Sequence, residues 1–547
     1  LKTASAILLL LTAAGKLDAG DLANAQFDRH GLRSLLSGGI EMLKNGQLRL
    51  NYVQWESGEL EDVPYDSVPQ SVFDESSRLL EQTWKVGKLS CVYKLEAERL
   101  GLSLTYTNTG DRPVTSVEVT ALTLIFPETP TGPGWYKALH ATSEGVDDVP
   151  AVIARYPGGV LAVVSECSDP ELQLQLHTTF DSECRVYRVL VRTVARSASD
   201  FIHLDRRAIA AGQSVTFEVS LRFGAQDSGL KDLAGDLFSK YAERFPRSLH
   251  WKDRRPIGML VLASSAPQHR SSVNPRGWLS DPQLDMVTTD GKPRFQKRML
   301  AWARQSAAIC KGIAAQGAIV WDVEGEEFQP LVFVGDPRML PKLAPEFDEI
   351  ADDFFKAFTD AGLKTGVCIR PSRIVPNWKS DPDLPWYHSH MAFDPVEEMA
   401  EKIAYAKKRW GCTLFYIDTN ITWAFTGAKD RNGNKEVTSW PMRAEMIRRL
   451  AGKHPDVLLI PEFQYTGYYS HGSGYRELRG GQATTPERIR AAYSEAFSVI
   501  NVAEGKIRER RAELVEAVRR GDILMFRGWG NSSESGSVRA IYHDASR

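Results

Sequence analysis

The feature that most constrains this chain is a change of periodicity near residue 255. Before it, apolar residues recur at every second position. After it, short uninterrupted apolar runs alternate with amphipathic stretches of helical spacing. The period-two region covers about residues 26 to 225. It predicts strands at Leu100–Thr107, Ser116–Phe126, Gly159–Ser165, Cys184–Val191 and Ser214–Phe223, separated by turn sequences such as Asn108-Thr109-Gly110-Asp111. Long strands of this kind, with short polar turns, predict an antiparallel β-sandwich over 26–227. Residues 228–254 read as a linker helix, with Leu230, Leu233, Ala234, Leu237 and Tyr241 on one face.

From 255 to 547 the order is strand, helix, strand. Predicted strands are Gly258–Ala263, Ala318–Val323, Lys364–Arg370, Thr413–Ile417, Val457–Ile460, Ala496–Val502, Asp522–Phe526 and, as an eighth, Ser537–His543. Helices are expected at Arg294–Ala315, Phe347–Ala361, Pro395–Arg409, Pro441–Ala451 and about 503–519. Apolar strands without alternation mean a parallel sheet covered on both faces. Eight such units predict a (β/α)8 TIM barrel; a doubly wound sheet is the competing fold.

Two consecutive barrel strands finish in an acid. Leu414-Phe415-Tyr416-Ile417 runs into Asp418, and Leu458-Leu459-Ile460-Pro461 runs into Glu462. Barrel chemistry sits at the C-terminal ends of strands. Tips of adjacent strands lie ~4.8 Å apart, close to the ~5–5.5 Å separation of a retaining carboxyl pair in glycosidic cleavage. Asp418 is therefore expected to act as nucleophile, with Arg370 on the neighbouring strand keeping it ionised. Glu462 is expected to donate the proton, its apolar approach raising its pKa. Other polar and aromatic residues at the strand ends are expected to bind substrate: Trp321, Asp322, Glu324, Arg373, Tyr416, Asn420, Gln464, Tyr465, Arg527 and Trp529, together with Arg370. Asp322 or Glu324 replacing one member of the pair is an alternative. So is a purely structural ion-pair role for Arg370 and Arg373. Two guanidiniums after one strand also suit a uronic acid or sulfated sugar.

The run Phe415-Tyr416-Ile417-Asp418-Thr419-Asn420 resembles the nucleophile strand of retaining α-glycosidases of the α-glucosidase and α-galactosidase type. Those families also carry a β-sandwich before their barrel. The resemblance implies Asp418 as nucleophile, Asn420 as a nearby site residue and an α-linked sugar as substrate. It departs at the acid, which those families draw from the sixth strand as Asp; Asn501 and Glu504 are the nearest residues on the strand read as sixth. A Glu on the fifth strand resembles instead the α-amylase-like and endo-α-N-acetylgalactosaminidase-like barrels.

The remaining signals are weaker. The formal net charge of −2 gives no reason to expect nucleic acid or an anionic membrane as partner; an oligosaccharide or polysaccharide is the expected partner. Residues 1–25, with the apolar run Ala6–Ala14 after Lys2, resemble an export signal. Three cysteines fall in each half, which argues against a complete disulfide framework in either. His388-Ser389-His390 lacks an evident third ligand, and no metal or cofactor is expected. The Gly-rich stretch Gly467–Gly474 reads as a loop over the site. A lyase or isomerase acting on sugar acids, and a non-catalytic carbohydrate-binding barrel, are the competing functions.

Overall fold

A computed structural model describes residues 25–44, 48–57, 59–126, 151–156, 159–166, 172–179, 185–193, 208–325, 334–376, 386–389, 394–418, 421–429, 435–442, 444–462, 465–478, 483–503, 507–530 and 533–547. The segment read as an export signal lies outside them, apart from Ala25. The chain divides into two compact units. One comprises Leu1–Arg196 with Leu204–Lys240, and the other Ser197–His203 with Tyr241–Arg547. The division falls inside the helix Leu230–Arg244, which is kinked at Ala234.

The N-terminal unit packs two antiparallel sheets face to face. The larger runs, in spatial order, Ala151–Tyr156, Gly159–Ser165, Ser214–Gly224, Arg99–Thr107, Gly87–Glu96, Leu79–Trp84 and Gln70–Asp74. The smaller runs Leu172–Thr179, Arg185–Thr193, Val114–Phe126, Arg49–Trp55 and Leu60–Asp62. Alternation explains the burial. Leu100, Leu102, Leu104 and Tyr106 all face inward, and Leu104 pairs across the ladder with Phe217. They meet Val53, Val117, Val119, Tyr187 and Val189 of the smaller sheet in one core.

The C-terminal unit is an eight-stranded parallel barrel. Its strands are Ile257–Val261, Gly317–Trp321, Lys364–Ile369, Leu414–Ile417, Leu458–Pro461, Tyr475–Glu477, Val499–Asn501 and Ile523–Arg527. Hydrogen-bonded order runs from the fifth strand back through the first, then to the eighth, seventh and sixth. The gap between fifth and sixth is bridged by the Ser473 N–H donating to the Leu459 carbonyl at 2.9 Å. The barrel is thus nearly closed.

Two expectations about its second half are corrected. Ser537–His543 is no strand; it lies within the helix Ser533–Ala545, whose Val538, Ile541, Tyr542 and Ala545 pack on the barrel at helical spacing. The Gly-rich stretch is not a loop over the site. Thr466–Ser470 is a buried 3-10 turn, and the residues after it build the sixth strand. The strand at Val499–Asn501 is therefore seventh, and that at Ile523–Arg527 eighth. A Cβ on Gly474 would lie 2.4 Å from the hydroxyl of Tyr469, a fully buried ring, so only glycine permits this entry into the strand.

Candidate active site at the barrel rim

Strand alternation decides what reaches the mouth of the barrel. Ile319, Trp321, Cys368, Leu414, Tyr416, Leu458, Ile460, Tyr475, Val499, Ile523 and Met525 fill the interior. Their neighbours Val320, Val367, Ile369, Phe415, Ile417, Leu459 and Ile500 face the helical layer. Two residues beyond an inward position the backbone points inward again. That rule puts Arg370, Asp418, Glu462, Glu477, Asn501 and Arg527 on the inward register at the C-terminal ends.

The ladder continues through the two acids. The Asp418 N–H donates to the Ile369 carbonyl at 2.9 Å, and the Glu462 N–H to the Ile417 carbonyl at 3.2 Å. The third, fourth and fifth strand tips therefore present Arg370, Asp418 and Glu462 side by side. Arg370 Nε donates to Asp418 Oδ2 at 2.6 Å, and its Nη2 contacts the same oxygen. Asp418 is buried and Glu462 half-buried. Burial pushes the Tyr416 phenol well above its ordinary pKa, and the charges of Asp418 and Glu462 add to that rise. Both carboxyl groups thus act on one neutral phenol beneath them. Its ring contacts Trp321 at 5.1 Å and Tyr475 at 4.8 Å between centroids, giving the site an aromatic floor.

Behind this face lies a second charged cluster. Lys402, fully buried, donates to the carbonyls of Arg370 (2.8 Å) and Ser372 (2.5 Å). It stands 3.7 Å from Asp336, which Arg338 also engages. Glu398, on the helix Pro395–Trp410, binds Arg338 and Arg373. The cluster fixes the backbone that carries Arg370.

The other expected site residues distribute unevenly. Trp321 and Tyr416 belong to the interior floor. Asp322 is buried beyond the second strand with φ of 57°, a left-handed conformation uncommon outside glycine. Glu324 is buried near Asp336 and Lys402, and its charge, like those of Asp418 and Asp322, adds to the burial that raises the pKa of the interior Cys368 thiol. Burial raises the Glu324 pKa to about 8, Asp336 adding to the rise and Lys402 opposing it. Arg373 is half-exposed and held by Glu398 at 2.6 Å. Tyr465 packs edge-on against Tyr468, and Trp529 against Trp302, both in the helical layer. The Arg527 guanidinium lies 5.2 Å from the centroid of the Trp529 ring. Asn420 and Gln464 lie outside the described residues, as do Glu504 and His390.

Sequence reasoning missed Glu477. It ends the sixth strand, half-buried, two residues after the inward Tyr475. Asn501 Nδ2 donates to the Tyr475 hydroxyl at 2.8 Å, and that hydroxyl lies 3.5 Å from Glu477 Oε1. The signal was available in Gly474-Tyr475-Arg476-Glu477, an alternation with an inward aromatic before an acid. It was hidden by the shortness of the strand.

All four described cysteines, Cys91, Cys310, Cys368 and Cys412, are free and buried. No helix among the described residues is long and apolar enough to cross a membrane.

The sequence matches no family model and no curated protein. Among solved structures, the chain is similar to an α-N-acetylgalactosaminidase from Bifidobacterium bifidum in complex with GalNAc. That likeness has TM-score 0.52 and 10% identity, over 95% of this chain and 91% of that one. An α-galactosidase from Lactobacillus brevis aligns with TM-score 0.41 and 9% identity, over 91% of this chain and 70% of that one. The first likeness establishes a shared fold, an antiparallel β-domain followed by a (β/α)8 barrel as in barrel glycosidases.

Proposed function

We propose that this protein is a glycoside hydrolase that acts on an α-linked sugar with retention of configuration. The observation that carries the reading is the row Arg370, Asp418, Glu462 on adjacent parallel strand tips, all on the inward register. Strand spacing of ~4.8 Å suits a retaining pair at ~5–5.5 Å. Asp418 attacks the anomeric carbon, with Arg370 orienting the carboxylate through Oδ2. Glu462 protonates the departing glycosidic oxygen. It then takes a proton from the water that breaks the glycosyl ester, returning both groups to their starting states. Trp321, Tyr416 and Tyr475 supply apolar faces below the sugar.

A second assignment of the acid is favoured by the strand order. Glu477, now on the sixth strand, carries a hydrogen-bonded tyrosine beside it and is the alternative proton donor. The three carboxyl groups are separable by kinetics. Asp418→Ala abolishes turnover of every substrate. Replacing the proton donor by Gln abolishes turnover of glycosides with poor leaving groups; activated aryl glycosides, whose leaving group needs no acid, keep their kcat/KM, while their kcat falls because the second step has lost its base, and added azide restores it. The expected pattern assigns the second behaviour to Glu462→Gln. The same pattern in Glu477→Gln, with Glu462→Gln active on both, would transfer the acid role. Undiminished turnover by Asp418→Ala would end the reading. A neutral sugar is the expected substrate, because the guanidiniums of Arg370 and Arg373 are engaged by Asp418 and Glu398.

A further inference from the structure

The N-terminal unit holds a cavity of ≈ 720 Å³ lined from both sheets and by the segment 65–69. That volume is typical of small-ligand sites. It is far in sequence from the barrel acids and is not used by the chemistry proposed for them. Among the described residues, three cationic side chains border it, Lys44, Arg49 and Arg188, against one carboxylate, Asp66.

The two guanidiniums are held without a carboxylate. Arg49 donates to the carbonyls of Tyr65 (2.6 Å), Pro64 (2.6 Å) and Val63 (3.0 Å). Its Cζ lies 4.9 Å from the Tyr65 ring centroid and 6.0 Å from that of Trp84. Arg188 sits 5.9 Å from the same Tyr65 ring. Among the described residues, neither guanidinium forms an ion pair, and the Arg188 guanidinium makes no hydrogen bond, its residue pairing through the backbone alone. Burial and the neighbouring Arg188 charge both lower the Arg49 pKa, against the opposing influence of Tyr65 and Asp66. Two like charges gathered around a concave aromatic site, with a planar fork that has no hydrogen-bond partner among the described residues, leave a positive field that a bound anion relieves.

The rest of the lining limits the anion. Gln82 is buried beneath the cavity and accepts from the Trp84 indole at 3.3 Å. Hydroxyls of Ser71, Thr120 and Thr123 border it too. Amide, hydroxyl and aromatic groups together suit a polyhydroxylated ring. Among the described residues, the lining comes from strands, from the turn at His30, from Lys44 and Leu48 between strands and from the segment 65–69, not from a helix N-terminus of the kind that holds phosphate. We propose that this cavity is a binding site for an anionic saccharide bearing a carboxylate or sulfate, with the anionic group on Arg188 and Arg49 and a sugar face on Tyr65.

Calorimetric titration of the full chain with tetragalacturonate, a sulfated carrageenan tetrasaccharide and neutral cellotetraose tests this. At least one anionic probe should bind at sub-millimolar concentration, and cellotetraose should not. Affinity should fall about ten-fold or more in Arg188→Glu and in Tyr65→Ala, both at accessible positions, with unchanged melting temperatures. Asp418→Asn should leave it unchanged, which separates this site from the barrel and keeps its test independent of the proposed function. Failure of both anionic probes to bind at about millimolar concentration, equal binding of cellotetraose, or undiminished affinity in Arg188→Glu would overturn the proposal. Loss of binding in Asp418→Asn would also overturn it by moving the probe to the barrel. Which anionic probe binds distinguishes carboxylate from sulfate.

Discussion

Replacing Glu324 by Gln should change how stability depends on pH. The carboxyl is fully buried beside Asp336 and Lys402, and its pKa is raised to about 8 from an ordinary value of 4.5. Below about pH 4.5 it is protonated in folded and unfolded chains alike and contributes no pH dependence. Between about 4.5 and 8 the unfolded chain releases the proton while the folded chain retains it. Stability therefore falls as pH rises, by ~1.4 kcal/mol per pH unit and ~5 kcal/mol across the window. Glutamine is neutral throughout and removes this slope. It also brings an amide N–H into a site where Glu324 Oε1 has no hydrogen-bond partner among the described residues, so the absolute effect at one pH mixes two causes. Only the pH dependence is diagnostic, because Asp336, Lys402 and the other titrating groups are common to both proteins. Two compact units need not unfold together, so calorimetric scans should be fitted with separate transitions and the barrel transition compared. The gap in favour of Glu324→Gln should widen steadily from about pH 5 to about pH 8. Parallel curves over that range would refute the reasoning, as would a gap that widens towards acid.

Other consequences follow from the same geometry. Arg370→Ala leaves Asp418 buried without its guanidinium partner, which should cost about 3 kcal/mol of barrel stability by denaturant unfolding, and kcat should fall far more than KM rises. Arg373→Ala, whose partner is Glu398 rather than Asp418, should change kcat/KM by less than about ten-fold on a neutral substrate, or ~1.4 kcal/mol. Gly474→Ala forces a Cβ onto the Tyr469 hydroxyl, which is fixed by Ser498 at 2.8 Å. It should destabilise the barrel transition by about 1–3 kcal/mol and lower activity through the sixth strand. Asp522→Asn removes the charge that meets Arg490 at 3.1 Å and accepts from Thr484, Thr485 and Ser498. It should lower the barrel melting temperature with little change in KM.

Much of this fold is legible wherever a strand is long enough to show its period. Arg99–Thr107, Val114–Phe126, Gly159–Ser165, Arg185–Thr193 and Ser214–Gly224 lie within a few residues of the sequence reading. Strands such as Gly31–Ser37 and Leu79–Trp84 escape it because polar residues occupy many of their positions. In the barrel, the first five strands are apolar on both faces and easily seen. The sixth is three residues with Arg476 at its centre, and no hydrophobic window detects it. Without it the next two strands are numbered one too low, and an eighth place is open to Ser537–His543. There Val538 and Ile541 supply β-branched residues at what is helical spacing.

The site shows the same division. Arg370, Asp418 and Glu462 are legible because each ends an apolar run, and parallel register then places them together. Glu324, Tyr465 and Trp529 follow or flank strand ends in the sequence. Burial against Asp336, Tyr468 and Trp302 is a property of the folded layers that sequence position does not encode. The positive φ of Asp322 likewise turns the chain off strand alternation where the sequence alone suggests it continues.

The most direct test of the central claim is covalent trapping. The protein would be incubated with activated fluoro-sugars of several α-configured classes, its intact mass measured, and any adduct mapped by peptide sequencing. A single glycosyl adduct is expected on Asp418, absent from Asp418→Ala and formed as turnover is lost. An adduct on Glu462, Glu477 or another carboxylate would contradict the assignment of the nucleophile. Turnover of an α-glycoside with inverted product configuration and no adduct would contradict the retaining mechanism itself.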